Sequence, residues 1–471
     1  MQQEFPASYP SSAQVSAVAR PLRDALTNEA RPTILLLLFT IVVAFLSSLV
    51  SGAAPALAAR VNLSGSLKEG GGQATLGASR RRSQSGLIVA QFAVSFVLLI
   101  GAGLMLRSLM NLQRVDPGFR PENVLTMDIY LNFAKYTDGA KQSSFFDSLL
   151  ERVQAQPQVI SAAVSAAVPL VQNVQNNGSF RIEGQPTSPG AEDPQADFHV
   201  VSPDYFRTMH IPVIAGRPFE PRDGPDAEGV AILNQTMARH RWPGQDPVGR
   251  RISFDQGRTW VNVIGIVGDT REAGLDRPAA DGIYLALAQN PLLQGTLMAK
   301  TRDDPMKLAR LAVTRLYEVD PNQPAGQIRS LEMVRADSIA APRLTAKLLG
   351  IFAFVALLIA AAGIGGVIAL TVSQRTHEIG LRLAIGARPG DILRMVLAQG
   401  LRLAALGIGL GLLGAFVLTS VLKGLLFEVA PIDPMTFFVV PLVLVLAAFV
   451  ACLLPARRAA GVDPMVALRV E

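Results

Sequence analysis

The chain has 471 residues, 50% of them hydrophobic and 17% charged, with a mean hydropathy of +0.33. It is too apolar for an ordinary soluble protein and too polar to lie wholly in a bilayer, so we expect several membrane spans and one sizeable soluble domain. The net charge is +6, and the basic residues collect beside apolar runs, which favours a membrane surface over nucleic acid as their partner. The single cysteine, Cys452, excludes an intrachain disulfide.

The N-terminal part of the chain predicts a tail and one membrane helix. Residues 1–31 are polar, and we expect a disordered tail without a cleaved signal peptide. Residues 32–59 are predicted to form the first transmembrane helix, because about 20 apolar residues at a rise of about 1.5 Å cross a hydrocarbon layer of roughly 30 Å. A buried helix of this length in a soluble protein usually carries a polar face, and this segment has none.

A basic linker and a second membrane helix come next. The linker, residues 60–85, has five basic residues against Glu69, and short basic segments beside membrane helices stay in the cytoplasm. The second transmembrane helix is predicted at 86–106, with Gln91 as its one strongly polar residue. The next residues, 107–343, contain no segment long and apolar enough to cross a membrane, so they are predicted to form the soluble domain. This domain lies outside the cytoplasm if the basic linker before the second helix lies inside.

Residues 107–343 are predicted to form an α/β domain of two lobes. Apolar residues at helical spacing alternate with short runs of β-branched residues, and a mid-domain insertion covers Ala196–Leu287. The predicted helices are Asp138–Ala155 and Pro305–Glu318, and the predicted strands are a run from Val159, Gly229–Leu233, Trp260–Gly268 and Gln327–Ser330.

The C-terminal third predicts three further transmembrane helices, at 344–372, 403–422 and 435–454. All basic-rich segments fall on one side of the membrane if the N-terminus lies outside. Residues 373–402 and the tail 455–471 are then cytoplasmic, and residues 423–434 are periplasmic. The predicted fold is an α-helical membrane protein with five transmembrane helices and a large extracytoplasmic α/β domain between the second and the third.

The segment 373–402 carries more charge than any other stretch between membrane helices in the C-terminal third. Glu378 and Arg382 lie one helical turn apart and can pair, and Asp391 can cap or enter the first turn of a helix at Ile392–Gln399. Three glycines are expected to divide the segment into short helical pieces: Gly380, Gly386 and Gly390. The charges either stabilise a helix on the membrane surface or contact a soluble partner, and the residues themselves leave both interpretations open.

Small residues within the predicted spans indicate close helix packing. Gly407 and Gly411 form a GxxxG pair, Gly414 follows in the same span, and Gly363 and Gly366 lie in the preceding one. Packing within one chain and dimerisation are both compatible with this pattern. The spans contain few ionisable residues, so the usual marks of an ion or hydrophilic substrate path are missing.

No motif in the sequence predicts catalysis or a metal site. There is no GxxxxGK[ST] phosphate loop, no GxSxG and no HExxH. His199, His210 and His240 lack the spacing of metal ligands, and we interpret them as surface or hydrogen-bonding residues. We therefore expect neither an enzyme nor a bound cofactor in this chain.

Several segments together resemble the MacB/FtsX-type permeases of ABC transporters. HEIGLRLAIGARPGDILRMVL, His377–Leu397, is similar to the family's signature after the second span of the permease unit. The resemblance extends from about Ser85 to Glu471 and also includes Gly86–Phe119, Val201–Phe219, Leu233–Ile252 and Val263–Leu287. These last segments resemble the duplicated permeases common in acidobacteria, in which one chain carries two permease units.

An internal similarity extends this resemblance. The segment that follows the first predicted span, Pro55–Gly70, is similar to the segment that follows the last one, Pro455–Glu471. Each begins with Pro-Ala and then contains a basic residue. Either the similarity is due to chance, or the first span is the remnant of a preceding unit. In the second case the chain is a split or truncated duplicated permease.

The resemblance implies a permease subunit of the bacterial inner membrane that has no ATPase site of its own. A separate cytoplasmic ABC ATPase would bind ATP and contact residues 373–402, and the residues implied in coupling are Glu378, Arg382, Gly386, Asp391 and Arg394. Dimerisation of permease units and a periplasmic adaptor are further implied partners, beside the lipid bilayer. The implied function is efflux through motion of the outer domain.

One alternative is an FtsX-like, non-transporting signalling or scaffold protein that acts on a periplasmic partner. Another is a membrane-anchored enzyme.

Overall fold

The computed structural model describes residues 73–171, 177–185, 193–430 and 432–461. The chain divides into two units, one formed by Met1–Met110 with Pro342–Glu471 and the other by Asn111–Ala341. The predicted tail at 1–31, the predicted first helix at 32–59 and most of the C-terminal tail lie outside the described residues.

The described residues form ten α-helices and twelve strands. The helices are α1 (Gln73–Arg114), α2 (Gly139–Gln154), α3 (Tyr205–Met209), α4 (Gln235–Arg241), α5 (Ala309–Val319), α6 (Leu331–Ser338), α7 (Ala340–Gln374), α8 (Thr376–Ala384), α9 (Pro389–Leu422) and α10 (Pro434–Ala460). The strands are β1 (Val124–Tyr130), β2 (Val159–Ser165), β3 (Asn177–Ser179), β4 (Arg181–Ile182), β5 (Gln195–Val201), β6 (Val213–Gly216), β7 (Val230–Asn234), β8 (Arg251–Ser253), β9 (Val261–Val267), β10 (Gly282–Ala286), β11 (Gln294–Thr301) and β12 (Ala325–Ser330).

Four helices within the described residues, α1, α7, α9 and α10, are long and apolar enough to cross a membrane. Helix α1 is the most enclosed of them, since 56% of its most apolar stretch is buried, against 22% in each of the other three. Its buried residues recur every four positions, which aligns one ridge for packing against neighbouring helices: Ile88, Phe92, Phe96, Ile100 and Leu104. The outer faces of α7, α9 and α10 expose large apolar side chains, as expected for surfaces that contact lipid.

Helix α1 is longer than the span predicted at 86–106. It begins at Gln73, so the second part of the predicted linker 60–85 is helical, and it continues to Arg114. Residues 73–85 contain no glycine after Gly77 and no proline, and the arginines in this stretch are good helix formers. At the other end, Leu109 and Leu112 are buried and keep the helical spacing beyond residue 106.

The second unit is an α/β domain, as predicted, built on one sheet of twelve strands. The order along the sheet is β12-β1-β11-β2-β5-β10-β7-β9-β8-β4, with β3 beside β5 and β6 beside β9. The pairs β5–β10 and β7–β9 are parallel, and the other pairs are antiparallel. The predicted strands correspond to β2, β7, β9 and β12, and the predicted helix at Pro305–Glu318 begins as a 3-10 turn at Pro305–Leu308 before α5.

Two hydrophobic clusters cover different parts of this sheet. One packs α2 and α5 against β1, β2 and β11, with Phe146, Leu149 and Leu316 fully buried. The other packs α4 against β7, β9 and β10 and includes Leu233 and Trp242. The division of the domain into two lobes stays a prediction.

An ion pair fixes the connection after β6 in the second unit. Arg217 donates two hydrogen bonds of 2.7 Å to the Asp223 carboxylate, and the Glu220 N–H donates a third at 2.9 Å. The hydrogen bonds from Arg217 hold the pKa of Asp223 below its ordinary value, although burial acts in the opposite direction. The Asp223 side chain is only 5% exposed, so this pair is less screened by solvent than a surface salt bridge.

Replacement of Asp223 by Asn is expected to lower the free energy of unfolding of this unit by about 1.5–3 kcal/mol at neutral pH. Because the folded-state pKa is lowered, the contribution is complete above the unfolded pKa of about 3.9 and is lost as pH falls through the folded value. Both tryptophans of the chain, Trp242 and Trp260, lie in this unit, so tryptophan fluorescence can follow its unfolding. Asp226→Asn, at an exposed position nearby, is the control, and an equal effect at pH 7 would contradict the assignment.

Candidate coupling segment

The candidate site is the polar segment 373–402, which joins α7 to α9. Helix α7 ends at Gln374, α8 begins at Thr376, and α9 begins at Pro389. Gly386 has a φ of 103°, a value that residues with a Cβ rarely adopt, and it lets the chain turn between α8 and α9. The N–H groups of Gly386 and Ala387 close the end of α8 by donating to the carbonyls of Leu383 and Arg382 at 3.1 and 3.0 Å.

The segment has fewer breaks than its glycines predicted. Gly380 lies inside α8 and Gly390 lies in the first turn of α9, so of the three glycines only Gly386 separates helices. Helix α9 then continues to Leu422 without a break at residues 402–403, where a boundary between loop and span was predicted. The isolated glycines cost about 1 kcal/mol each in helix propensity, which tertiary packing can override.

Three apolar residues anchor the segment to the membrane helices. Ile379 and Ile392 are each 2% exposed and Val396 is 5% exposed. All three belong to the same hydrophobic cluster as Ile364 and Ile368 of α7. Burying an aliphatic side chain contributes about 1.5–3 kcal/mol, so this face holds α8 and the start of α9 in place.

The opposite face carries the charged residues named from the sequence. The Arg382 guanidinium donates to Glu378 Oε1 at 2.7 Å, as the spacing predicted, and also contacts Met395 Sδ at 3.1 Å. Asp391 accepts from the backbone N–H of Arg388 at 3.2 Å in the first turn of α9, and Arg394 is exposed one turn later. Both members of the Glu378–Arg382 pair are about half exposed, so the pair contributes little to stability.

Ile385 is a candidate that the sequence patterns did not single out. It ends α8, and its side chain is 77% exposed; Leu381, one turn earlier, is 45% exposed. The signal was an isoleucine directly before a glycine in a polar stretch. The exposed surface of this segment therefore includes apolar side chains beside the charged ones.

The glycines of α9 contact α1. A Cβ at Gly407 would lie 2.4 Å from Phe92 Cβ, and one at Gly411 would lie 2.8 Å from Phe96 Cβ. A Cβ at Gly414 would lie 2.9 Å from Val97 Cγ2. This face of α9 is therefore filled from within the same chain.

The two glycines named in α7 differ from each other. A Cβ at Gly363 would lie 2.6 Å from Oε1 of the buried Gln91 side chain, so this glycine makes room for a polar group inside the helix cluster. Gly366 has no heavy atom of the described residues within 4 Å of the position of a Cβ, and close packing is not seen there. Gly400, which was not singled out, contacts Cys452: a Cβ there would lie 2.4 Å from its Sγ.

A polar cluster joins the membrane helices at the ends that lie away from the segment 373–402. Arg107 Nη1 lies 2.5 Å from Asp433 Oδ1, and Asp433 Oδ2 caps α10 by accepting from the Thr436 N–H and hydroxyl at 2.9 and 2.6 Å. Ser108 Oγ accepts from the Phe427 N–H at 2.8 Å. These contacts link α1 to the connection between α9 and α10. Within the described residues, no group of three or more His, Cys, Asp or Glu is arranged to hold a metal ion.

Two family models match the chain. The MacB-like periplasmic core domain matches residues 85–316, and the FtsX-like permease C-terminal domain matches residues 350–464. The second match contains the whole segment 373–402. Long apolar helices with these two matched parts define a permease.

Curated relatives align with more than half of the chain. The macrolide export ATP-binding/permease protein MacB of Azoarcus sp. is 30% identical over 299 residues, which cover 59% of this chain and 43% of the relative. The pyoverdine export ATP-binding/permease protein PvdT of Pseudomonas aeruginosa is 29% identical over 283 residues, which cover 56% and 41%. The periplasmic region of MacB from Actinobacillus actinomycetemcomitans aligns at 13% identity over 49% of this chain and 97% of that one, with a TM-score of 0.32. The chain belongs to the MacB/FtsX-type permeases of ABC transporters, and the match spans less than half the length of these curated relatives.

Proposed function

We propose that this chain is the permease subunit of a MacB-type efflux transporter in a bacterial inner membrane. A separate cytoplasmic ABC ATPase binds ATP and contacts the segment 373–402, and its motion reaches the extracytoplasmic α/β domain. The observation that carries the proposal is the two-sided character of this segment. One face is anchored by buried Ile379, Ile392 and Val396, while the other exposes Glu378, Arg382, Ile385 and Asp391.

The route of the motion follows from the helices. A partner can shift this segment only if the partner's two nucleotide states bind it with different free energies. A displacement at Asp391 passes along α9 as a continuous helix to Gly407 and Gly411, which contact α1. Helix α1 continues to Arg114 and so carries the chain from the first unit into the second. Because closely packed interfaces transmit strain, a shift of α9 at these glycines displaces α1 as well.

The remaining details of the proposal concern topology and assembly. The N-terminus lies outside, five helices cross the membrane, the α/β domain has two lobes, and residues 373–402 face the cytoplasm. Two permease units dimerise, and a periplasmic adaptor joins them. MacB and PvdT are named as export proteins, which supports efflux as the direction of transport.

The charges of the segment provide the first test. Replacing Glu378 and Asp391 together by Lys reverses two exposed charges. We expect this to lower ATPase recovery on co-purification about tenfold, because charges on interacting surfaces are complementary and their reversal replaces attraction by repulsion. The measurement is the amount of the ABC ATPase that co-purifies with the full chain, together with its ATP hydrolysis rate.

The control makes the same charge change at Glu332 and Asp226, which are exposed in the α/β domain. Unchanged recruitment and transport in the Glu378/Asp391 variant would remove the segment from the mechanism. Equal losses in both variants would mean that net charge, and not this surface, governs the interaction.

The FtsX-like match over residues 350–464 favours a second candidate, a non-transporting protein that passes the same motion to a periplasmic partner. The ATPase contact is common to both candidates, so the charge-reversal experiment does not separate them. The bound partner does: a cell-wall hydrolase or sensor kinase recovered with the chain supports the second candidate, and a transported solute supports the first.

A further inference from the structure

The α/β domain contains an open cleft of about 960 Å³ that no part of the proposed coupling uses. Its walls come from three connecting segments, around residues 116–120, 210–214 and 268–271, and from α4. All of these residues belong to the unit Asn111–Ala341.

Backbone hydrogen bonds join the three connecting segments into one floor. The Arg120 N–H donates to the Met209 carbonyl, and the Arg271 N–H donates to the Pro117 carbonyl, both at 2.9 Å. The Gly268 N–H donates to the Pro212 carbonyl, also at 2.9 Å. Such a floor is already ordered before a ligand arrives, which lowers the entropic cost of binding.

Gly118 allows two of these segments to approach closely. Its φ is 82°, and a Cβ there would lie 1.9 Å from the Asp269 carbonyl oxygen, which no side chain can accommodate. The close approach places Arg120 and Arg271, one from each segment, on the same cleft.

Helix α4 is fixed as the remaining wall. Asp269 accepts from the N–H and the hydroxyl of Thr236 at 2.7 and 2.9 Å, so both of its carboxylate oxygens are engaged. His240 Nδ1 lies 2.8 Å from Asp281 Oδ1, and Asp281 also accepts from Arg241 Nε at 2.8 Å. This arrangement orients the His240 ring, which lines the cleft.

The cleft has more free donors than free acceptors. The side chains of Arg120, His210 and Gln235 have no partner among the residues that the structure describes, and arginine alone carries five N–H donors. Of the two carboxylates that line the cleft, Asp269 is held by Thr236 through both oxygens, and Asp116 accepts from the Gly118 N–H through Oδ1 at 3.0 Å. A ligand that completes these donors must be rich in acceptors. Apolar contacts are available from Pro212, Pro278 and Ile214, which is 48% exposed.

We propose that this cleft binds an anionic group, such as a phosphate, sulfate or carboxylate, carried by a partly apolar molecule. Arg120 and Arg271 contact the anion, His210, Gln235 and His240 lie around it, and the apolar part rests against Ile214 and the two prolines. Arginine suits this role because its planar fork matches the geometry of such oxyanions. Binding at this cleft requires neither an ATPase nor transport, so its test is independent of the proposed coupling.

The test uses the full chain in nanodiscs of phosphatidylcholine, with hexyl phosphate as the probe and ligand-observed NMR as the readout. Hexanol, which has the same tail without the anion, measures partitioning into lipid. We expect saturable binding of hexyl phosphate beyond that of hexanol, competition by inorganic phosphate, and tighter binding of hexyl phosphate than of phosphate alone. Loss of a hydrogen bond to a charged group by Arg120→Gln should weaken binding about tenfold or more.

Arg310→Gln is the matched control, because Arg310 is an exposed arginine on α5 outside the cleft. Hexyl phosphate that binds no better than hexanol would overturn the proposal, and so would equal weakening by Arg120→Gln and Arg310→Gln. Equal affinities for phosphate and hexyl phosphate would overturn the apolar part of the proposal.

Nanodiscs that also contain phosphatidic acid identify the source of the anion. Displacement of the probe assigns the site to a lipid headgroup, and unchanged binding assigns it to a soluble molecule. Unaltered tryptophan fluorescence in each variant confirms that the domain is folded.

Discussion

Leucine in place of Gly407 is expected to prevent the membrane helices from packing, whereas leucine in place of Gly366 is expected to be tolerated. A Cβ at Gly407 would lie 2.4 Å from Phe92 Cβ and 2.9 Å from the Val89 carbonyl oxygen. Since the second neighbour is backbone, the clash can be relieved only by moving α9 away from α1. Overpacking in a well-packed core costs about 1–3 kcal/mol, and a displaced helix loses further contacts along its length.

The measurement is the monodisperse fraction of the full chain on size exclusion and its thermal stability in detergent. Gly366→Leu is the matched control, because it adds the same side chain to a membrane helix at a position with no described atom within 4 Å of the Cβ. Helices in lipid associate through van der Waals packing and polar contacts, so close contacts at small residues matter more than in water.

This experiment also separates the two interpretations of the glycines. If Gly407 and Gly411 serve packing within the chain, Gly407→Leu lowers stability at every protein concentration. If they instead serve dimerisation, the variant remains a stable monomer and loses only self-association. The second result would contradict the contact between α9 and α1.

The parts of the fold that follow from local patterns could be predicted from sequence. An uncharged run of about 20 residues predicts a membrane helix by length and hydrophobicity alone, and the structure has four such helices within the described residues. Likewise, Gly229–Leu233, which contains the β-branched residues Val230 and Ile232, predicted a strand, and it forms most of β7. Each of these signals lies within one short window of the sequence.

The order of the strands could not be predicted in this way. β1 lies between β11 and β12, which come about 170 and 200 residues later in the chain. The parallel pairing of β5 with β10 depends on contacts that no single window contains. The cleft depends on the same long-range arrangement, because Arg120, His210 and Arg271 meet only after the three connecting segments are joined.

Within the coupling segment, charge spacing predicted the Glu378–Arg382 contact because both partners lie on one helix. Gly380 was misassigned as a break because helix propensity is a weak signal beside the burial of its neighbour Ile379. Ile385 was missed because its role in the proposed contact depends on the exposure of its side chain. That exposure depends on which face of α8 is buried, and the sequence alone does not give it.

Aspartate in place of Ile385 is expected to abolish most of the functional contact with the ATPase while leaving the chain folded. The side chain is 77% exposed, so the substitution buries no charge within the chain. In the proposed complex it would place a carboxylate where an exposed apolar side chain contacts the partner. Truncating a hot-spot residue of an interface costs about 2 kcal/mol or more, and a buried charge adds to that cost, so we expect a loss of about 30-fold or more in affinity.

The measurement is binding of the ABC ATPase to the full chain in nanodiscs, together with the stimulation of ATP hydrolysis. Phe133→Asp is the matched control, because Phe133 is 75% exposed in the α/β domain and the substitution introduces the same charge. Normal ATPase binding by the Ile385 variant would mean that α8 only rests on the membrane surface. A loss caused by Phe133→Asp but not by Ile385→Asp would place the ATPase on the side of the α/β domain and reverse the proposed orientation.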